Sequence, residues 1–314
     1  PCGLAAAASS NPDMLRQLIL HCGPMKTGST AIQDALRQHR TALSRKGISV
    51  HHIRARSLHQ QLDQVLTAEQ GSRYPVVVLS SEFFGQHPPE SLRPILDRFP
   101  AERHAILVAR PLRELYPSLF LQNLKGSSRR ITSFRTFLHH QLRLDRDPDG
   151  VLGGQVMNAP VLDARLKAAG CTTHWLIYDR HRLLERFAQQ LSDLTGHSFN
   201  ELNQPVAMSK DPLSPRRSLR MELAGLARLI NVMNRRSWID DGFRERLLGL
   251  CLDASDQLRR LRPCHRPLSV FDRRRCDELD HEINQPFLNR LGMAMLPSLG
   301  DGVVNGFPDR DLPR

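Results

Sequence analysis

A glycine-containing turn at residues 23–30, GPMKTGST, carries the residue types of a phosphate-binding loop. Gly23 and Gly28 have the G-x-x-x-x-G spacing of the common nucleotide-binding loop, in which a lysine follows the second glycine. Here Ser29 follows it, and the lysine lies inside the loop as Lys26. Backbone N–H groups of such a loop and the dipole of the next helix attract an anion, and Lys26 adds a full positive charge. The turn therefore predicts an anion site with its lysine in an unusual position.

Two hydroxyl residues, Ser29 and Thr30, stand where the helix after the loop begins, and they can donate to phosphate oxygens. A G-x-x-x-x-G spacing alone also fits an ordinary strand-to-helix turn with a helix cap. The full GPMKTGST stretch, placed between a strand pattern and a helix pattern, favours phosphate binding over that simpler interpretation.

The elements around the loop predict an α/β fold. The apolar run LRQLILHC before it is typical of a buried parallel strand, and a helix pattern begins at Thr30. Further strand patterns, GISVHHI, PVVVLSSEFF, HAILVAR and THWLIYD, alternate with helix patterns. Such alternation predicts right-handed crossovers and a parallel sheet. Pro117 is expected to kink or restart the helix that begins near Leu112.

The last third of the chain has a different pattern, because three helical stretches fill most of residues 214–292 without a strand between them. We therefore expect one domain over residues 14–314. It would consist of an α/β core over 14–200 and a mainly helical extension over 201–295.

Composition narrows the classes of function. The net charge of +12 indicates an anionic ligand, but the arginines are spread along the chain and aromatic residues make up only 5%, which disfavours nucleic-acid binding. No run approaches the roughly 18 apolar residues of a membrane span. Six scattered cysteines without a C-x-x-C pair disfavour zinc and dithiol chemistry and fit a reducing cytoplasm. Residues 1–13 are expected to be disordered, tag or upstream sequence, with Met14 as the natural start.

The stretch GPMKTGSTAIQ resembles the 5′-phosphosulfate-binding loop of sulfotransferases that use PAPS (3′-phosphoadenylyl sulfate). The histidine two residues before Gly23 and the glutamine after the loop make it look most like bacterial sulfotransferases. The family's loop has a lysine, a small residue, a glycine and two hydroxyl residues, matched here by Lys26, Thr27, Gly28, Ser29 and Thr30.

The resemblance extends to AILVARPLRELYPSLFLQNLKG. In this family an arginine at the end of a later strand and a serine in the next helix hold the 3′-phosphate, and Arg110 and Ser118 match them. Many cytosolic members of the family have a late Arg-Lys-Gly segment that closes on the 3′-phosphate, and this sequence has none. Lys210, Arg216 and Arg217 are candidate substitutes, unless they only form a solvated basic loop.

The resemblance implies a P-loop-like α/β fold that binds PAPS and transfers its sulfuryl group to a hydroxyl or amine. The acceptor would be a carbohydrate, a lipid or a small metabolite. Lys26 would reach the oxygen that bridges phosphate and sulfate, and Gly23 would belong to the cofactor loop. No metal is required, because a phosphosulfate has no triphosphate to chelate. Residues 126–158 and the C-terminal helices are expected to shape the acceptor pocket.

The base for this reaction is predicted to be Glu82. It follows the strand pattern PVVVLSS, at the edge where open α/β sheets bind ligands, and the resemblance matches it to the family's catalytic base. The carboxylate could instead only position the lysine, or hold Mg²⁺ as in a kinase. His51 and His52 are alternative bases, and Ser80 and Ser81 could orient the acceptor.

Two other functions remain open at this point. One is a P-loop kinase or nucleotidase with a displaced lysine, against which the absent G-K-[ST] argues. The other is a non-catalytic nucleic-acid-binding protein, which the charge suggests and which would bind any duplex in a salt-dependent way.

Overall fold

The structure is a computed structural model. It describes residues 17–53, 58–69, 74–98, 101–126, 131–149, 155–203, 219–261 and 270–293. The segment expected to precede Met14 and the three basic residues Lys210, Arg216 and Arg217 lie outside these described residues.

Five parallel strands form one sheet in the order β2-β3-β1-β4-β5. The strands are β1 (Gln17–His21), β2 (Ile48–His52), β3 (Val76–Ser80), β4 (Glu102–Ala109) and β5 (Thr172–Ile177). Each of the five strand patterns in the sequence forms one of these strands. The prediction of a parallel α/β sheet is therefore confirmed, including the weak pattern GISVHHI, which becomes β2 at the edge of the sheet.

Helices cover both faces of the sheet. The first four are α1 (Ser29–Gln38), α2 (Arg40–Arg45), α3 (Leu58–Glu69) and α4 (Pro89–Leu96). The next four are α5 (Leu112–Lys125), α6 (Phe134–Arg146), α7 (Ala159–Ala168) and α8 (Leu183–Thr195). Short 3-10 turns occur at Phe84–Gln86, Asn200–Asn203 and Met221–Leu223.

Two apolar clusters lie on opposite faces of the sheet, because successive side chains of a strand point to opposite sides. Leu18 and Leu20 of β1 pack in one cluster with α3, α4 and α7. Ile19 packs in the other with α1, α2 and α8. This two-sided burial explains why the strands are nearly continuous apolar runs in the sequence.

The described residues after 203 contain helices and no strand, which confirms the predicted helical extension. Its helices are α9 (Ala224–Arg235), α10 (Asp241–Leu261), α11 (Val270–Leu279) and α12 (Gln285–Arg290), with a π-helix at Asp280–Asn284. Helices α9, α10 and α11 pack with α5 and α6 in a third apolar cluster. In the described part of the chain, no helix is both long and apolar enough to cross a membrane.

Helix α5 runs without interruption from Leu112 to Lys125 although it contains Pro117, so the helix does not restart there. A proline inside a helix removes one backbone hydrogen bond. Here Pro117 is buried together with most of the helix, and tertiary packing on both sides stabilises the continuous helix against that local loss.

Asp280 connects the helical extension to the start of α5. Its Oδ2 accepts a hydrogen bond from the Leu112 backbone N–H at 2.7 Å, and its Oδ1 accepts one from Asn284 Nδ2 at 2.8 Å. Asn284 Oδ1 in turn accepts from the backbone N–H of Ala159 at 2.9 Å, at the start of α7. The π-helix therefore caps two helices, one of which begins at Leu112, two residues after Arg110.

The Asp280 carboxyl gives the stability of the protein a defined pH dependence. Burial raises its pKa from 3.8 to about 7. A folded-state pKa above the unfolded value means that its contribution to the free energy of unfolding is full below about pH 4 and is lost as pH rises through about 7. Asp280→Asn keeps the acceptor oxygen and removes the titration.

We therefore expect the melting temperature of the wild type, relative to Asp280→Asn, to be higher at about pH 5 than at about pH 8. Thermal denaturation across this range measures the difference, with the exposed Asp193→Asn variant as the control. A difference between wild type and Asp280→Asn that stays constant over the range would contradict this account.

Candidate active site

The loop between β1 and α1 has a backbone that is unusual at two positions. Lys26 has a φ of 67° and Gly28 a φ of 90°, both in the left-handed region. A residue other than glycine with positive φ is uncommon, and such residues cluster where a ligand is held. Left-handed residues in a turn allow neighbouring backbone N–H groups to converge on an anion. The candidate lysine is therefore held in a strained conformation at the N-terminus of α1.

The hydroxyl groups of the loop stabilise the loop itself. Thr27 Oγ1 donates to the Pro24 carbonyl oxygen at 2.6 Å. Ser29 Oγ lies 3.2 Å from the same oxygen and 3.3 Å from that of Gly23. Both side chains are buried, whereas Thr30 is partly exposed. Of the predicted hydroxyl contacts to phosphate, only that of Thr30 is open to solvent in this conformation.

Both glycines of the motif are required by close contacts. A Cβ atom at Gly23 would lie 2.8 Å from Ser29 Oγ and 3.1 Å from His21 Nε2. A Cβ atom at Gly28 would lie 2.1 Å from Leu183 Cδ2. Thr27 Oγ1 would also lie 3.1 Å from the added atom at Gly23, so three polar side-chain atoms occupy the space beside this glycine.

Lys26 and Glu82 lie at the same edge of the sheet, because β3 pairs with β1 in register His21↔Ser80 and Glu82 follows two residues later. Both side chains are half-buried and interact electrostatically. Burial lowers the pKa of Lys26, while the Glu82 charge raises it and the Arg110 charge lowers it further. Burial raises the pKa of Glu82, and Lys26 opposes that rise. A carboxylate with a raised pKa is a stronger base near neutral pH.

Arg110 connects the end of β4 to the loop. Its Nη1 donates to the Lys26 carbonyl oxygen at 2.6 Å. Its Nε donates to Glu114 Oε2 at 3.3 Å, and its guanidinium carbon lies 4.4 Å from the centre of the Tyr178 ring. The two motifs that the sequence predicts as separate ends of one site are therefore in direct contact at Arg110. Ser118 lies one turn beyond Glu114 on the same face of α5 and is partly exposed.

The other predicted bases are farther along the sheet. His51 Nε2 lies 2.7 Å from Glu69 Oε1, and His52 Nδ1 lies 3.1 Å from the Ser80 carbonyl oxygen. Both histidines belong to β2, which β3 separates from the loop-bearing strand β1. Glu82 follows β3 itself and is therefore better placed for chemistry at Lys26. Ser81 is buried, and its backbone N–H donates to the carbonyl oxygen of His21.

Two contributors to the site were missed by the sequence analysis. Tyr178 stacks on Arg110, and its Cε2 would lie 3.3 Å from a Cβ atom at Gly28. The available signal was its position near the end of the strand pattern THWLIYD, at the same edge of the sheet as Glu82 and Arg110. Glu114 could have been found from the i, i+4 spacing to Arg110.

The described residues contain no group of three or more His, Cys, Asp or Glu side chains that could hold a metal ion. Comparison with known proteins found no matching family model, no matching curated protein and no matching solved structure. The donor set of the site is an anion-binding set, since it consists of loop N–H groups, an ammonium and a guanidinium. This donor set fits the negative charge of a phosphosulfate.

The contact at Gly28 can be separated from its backbone conformation by a matched pair of variants. Gly196 has a similar φ of 74° but nothing within 4 Å of an added Cβ atom. Gly196→Ala should therefore lower the free energy of unfolding only by the steric cost of a left-handed alanine, on the order of 1–2 kcal/mol. Gly28→Ala should cost about 1–3 kcal/mol more, because its methyl group overlaps Leu183. Urea denaturation measures both values, and equal losses would mean that the Leu183 contact imposes no constraint.

Proposed function

We propose that the protein is a PAPS-dependent sulfotransferase that sulfates a hydroxyl or amine of a carbohydrate, lipid or small metabolite. The observation that carries the proposal is that Lys26, after the carboxyl end of β1, interacts with both Glu82 and Arg110. PAPS supplies an activated sulfuryl group whose leaving group is a phosphate. The remaining question is what each of these three side chains does.

The topology supports a ligand at this edge. In the order β2-β3-β1-β4-β5, the crossover from β1 leads to β2 on one side and the crossover from β4 leads to β5 on the other. Open α/β sheets bind ligands where neighbouring crossovers diverge in this way. The loop after β1 lies at that point, flanked by the residues that follow β3 and β4.

Lys26 and Arg110 supply positive charge on the leaving-group side. Lys26 is positioned to stabilise the negative charge that develops on the phosphate oxygen as its bond to sulfur breaks. Arg110 uses two of its five N–H donors on Lys26 and Glu114, which leaves donors for a phosphate group. Ser118, two turns into α5, would add a hydroxyl donor on that side. Glu114 partly neutralises Arg110 and fixes its orientation.

Glu82 supplies the base on the opposite side. As the acceptor oxygen or nitrogen forms its bond to sulfur, its proton passes to the Glu82 carboxylate, and the S–O bond to phosphate breaks, leaving PAP, the desulfated cofactor. Transfer in line requires the base and the leaving-group cations on opposite sides of the sulfur. Strands β3 and β4 lie on opposite sides of β1, so Glu82 and Arg110 follow the two strands on either side of the loop.

The first test is PAP binding without Mg²⁺. We expect PAP to raise the melting temperature of the wild type, with a stabilisation of about 2.7 kcal/mol at 100 times its Kd. Lys26→Ala and Arg110→Ala should each weaken PAP binding about tenfold or more, because charged hydrogen bonds contribute roughly 1.5–3 kcal/mol. Arg93→Ala, an exposed arginine on α4, is the control and should bind PAP normally. Failure of PAP to stabilise the wild type would refute the proposal, and stabilisation by ATP–Mg²⁺ alone would favour a kinase.

The second test concerns Glu82. We expect Glu82→Gln to lower kcat for transfer of labelled sulfate from PAPS by roughly 10²–10⁴, because the amide cannot accept the proton. The PAP-induced shift in melting temperature should stay near that of the wild type, since Glu82 lies on the acceptor side. Glu90→Gln, on the exposed surface of α4, is the matched control. Turnover that is unchanged in Glu82→Gln across a panel of hydroxylated acceptors would exclude Glu82 as the base.

A further inference from the structure

A pocket lies between α1 and the carboxyl end of β2, near the candidate active site. Its volume is about 220 Å³. This is room for a small ligand group or several water molecules, each of which occupies about 30 Å³. The lining comes from α1, α2, β2 and the end of β3, and it includes Gln33, Arg37, Arg40, His51, His52 and Ser80.

Hydrogen-bond donors and cations line this pocket, and none of its lining residues is a carboxylate. Arg37 Nη1 lies 2.8 Å from Oδ1 of Asp34, a residue that is not part of the lining. Arg40 is exposed and forms no ion pair with any residue in the described part of the chain. The pocket is therefore positively charged on its α1 side.

The histidines on the opposite wall have fixed partners. His51 is hydrogen-bonded through Nε2 to the buried carboxylate of Glu69. His52 is hydrogen-bonded through Nδ1 to the Ser80 carbonyl oxygen. Neither Asp34 nor Glu69 lines the pocket, and each has a hydrogen-bonded partner in Arg37 or His51. The guanidinium groups of Arg37 and Arg40 therefore present positive charge to an incoming group.

Gln33 adds an unsatisfied donor to the lining. Its Nε2 is buried and has no hydrogen-bond partner. A buried donor without a partner costs about 1–3 kcal/mol. An acceptor oxygen that reached Gln33 Nε2 from the pocket would satisfy this donor.

Ser80 connects this pocket to the candidate active site. It lines the pocket, and its Oγ lies 2.8 Å from Nδ1 of His21, the residue that ends β1 before the loop. Glu82 follows Ser80 by two residues, which corresponds to at most about 7 Å of extended chain. A single small molecule could therefore place one group at Glu82 and another in the pocket.

We propose that this pocket binds an anionic substituent, a carboxylate or a sulfate, of the acceptor whose hydroxyl or amine reacts at Glu82. This inference rests on the proposed function and gives it a substrate class, a hydroxylated anion such as a sugar acid or a sulfated sugar. Arg37 and Arg40 bind the oxyanion, and Gln33 donates to it. Neutral sugars lack the group that the pocket recognises.

The test separates this inference from the proposed function by measuring two kinds of ligand. Thermal shift is recorded with glucuronate and glucose 6-sulfate as anionic probes and glucose as the neutral probe, at equal ionic strength, each with and without PAP. We expect at least one anionic probe to stabilise the wild type more than glucose does. Arg40→Gln should weaken that binding about tenfold, the loss of one charged hydrogen bond. Arg45→Gln, an exposed arginine of α2 outside the lining, is the control and should bind like the wild type.

Each outcome decides one of the two proposals. PAP binding without preference for either anionic probe over glucose overturns the pocket assignment and leaves the proposed function standing. An anionic probe that binds equally to wild type and Arg40→Gln also overturns it. If PAP does not bind, the acceptor role fails with the proposed function, even if the pocket binds anions. In turnover, Arg40→Gln should raise the KM for the anionic acceptor about tenfold while the KM for PAPS stays unchanged.

Discussion

The hydrogen bond from Arg110 to the carbonyl oxygen of Lys26 is the interaction on which the geometry of the site depends. Lys26 has a left-handed backbone, which costs a residue other than glycine on the order of 1 kcal/mol and persists only where the surroundings hold it. Arg110 is itself held by stacking on Tyr178 and by Glu114. The position of the lysine is therefore set by the ends of β4 and β5 and by the first turn of α5, in addition to its own loop.

The C-terminal helices stabilise this arrangement from outside the sheet. Asp280 caps the N-terminus of α5 at Leu112, two residues after Arg110. A buried carboxyl group is costly unless it is hydrogen-bonded, and Asp280 accepts from Leu112 and from Asn284. Single π-helical turns are often found at functional sites. Here the π-helix belongs to the segment that joins the helical extension to α5 and α7, so the extension contributes to the placement of Arg110.

Local sequence patterns predicted the strands, the loop and the meeting of three site residues, for a physical reason. A parallel sheet brings the carboxyl ends of its strands to one edge, so residues that directly follow apolar runs, such as Lys26, Glu82 and Arg110, must lie near one another. The position of Tyr178 at the same edge could have been predicted in this way, but its stacking on Arg110 and the cap by Asp280 depend on side-chain packing between segments far apart in the chain. The inward orientation of the Ser29 hydroxyl was missed for the same reason: a motif gives the residue type and not the rotamer.

Burial acts on the two central charges in opposite directions, lowering the pKa of Lys26 and raising that of Glu82. Desolvation disfavours the charged form of each side chain, and the opposite charge of the other side chain partly offsets that effect. In the proposed transfer, a proton arrives at Glu82 while negative charge grows on the oxygen beside Lys26. Both changes act on charges that the protein already holds at reduced hydration, where electrostatic interactions are stronger than in water. The partial burial that makes this pair costly in the resting protein is therefore the same property that would make it effective in the reaction.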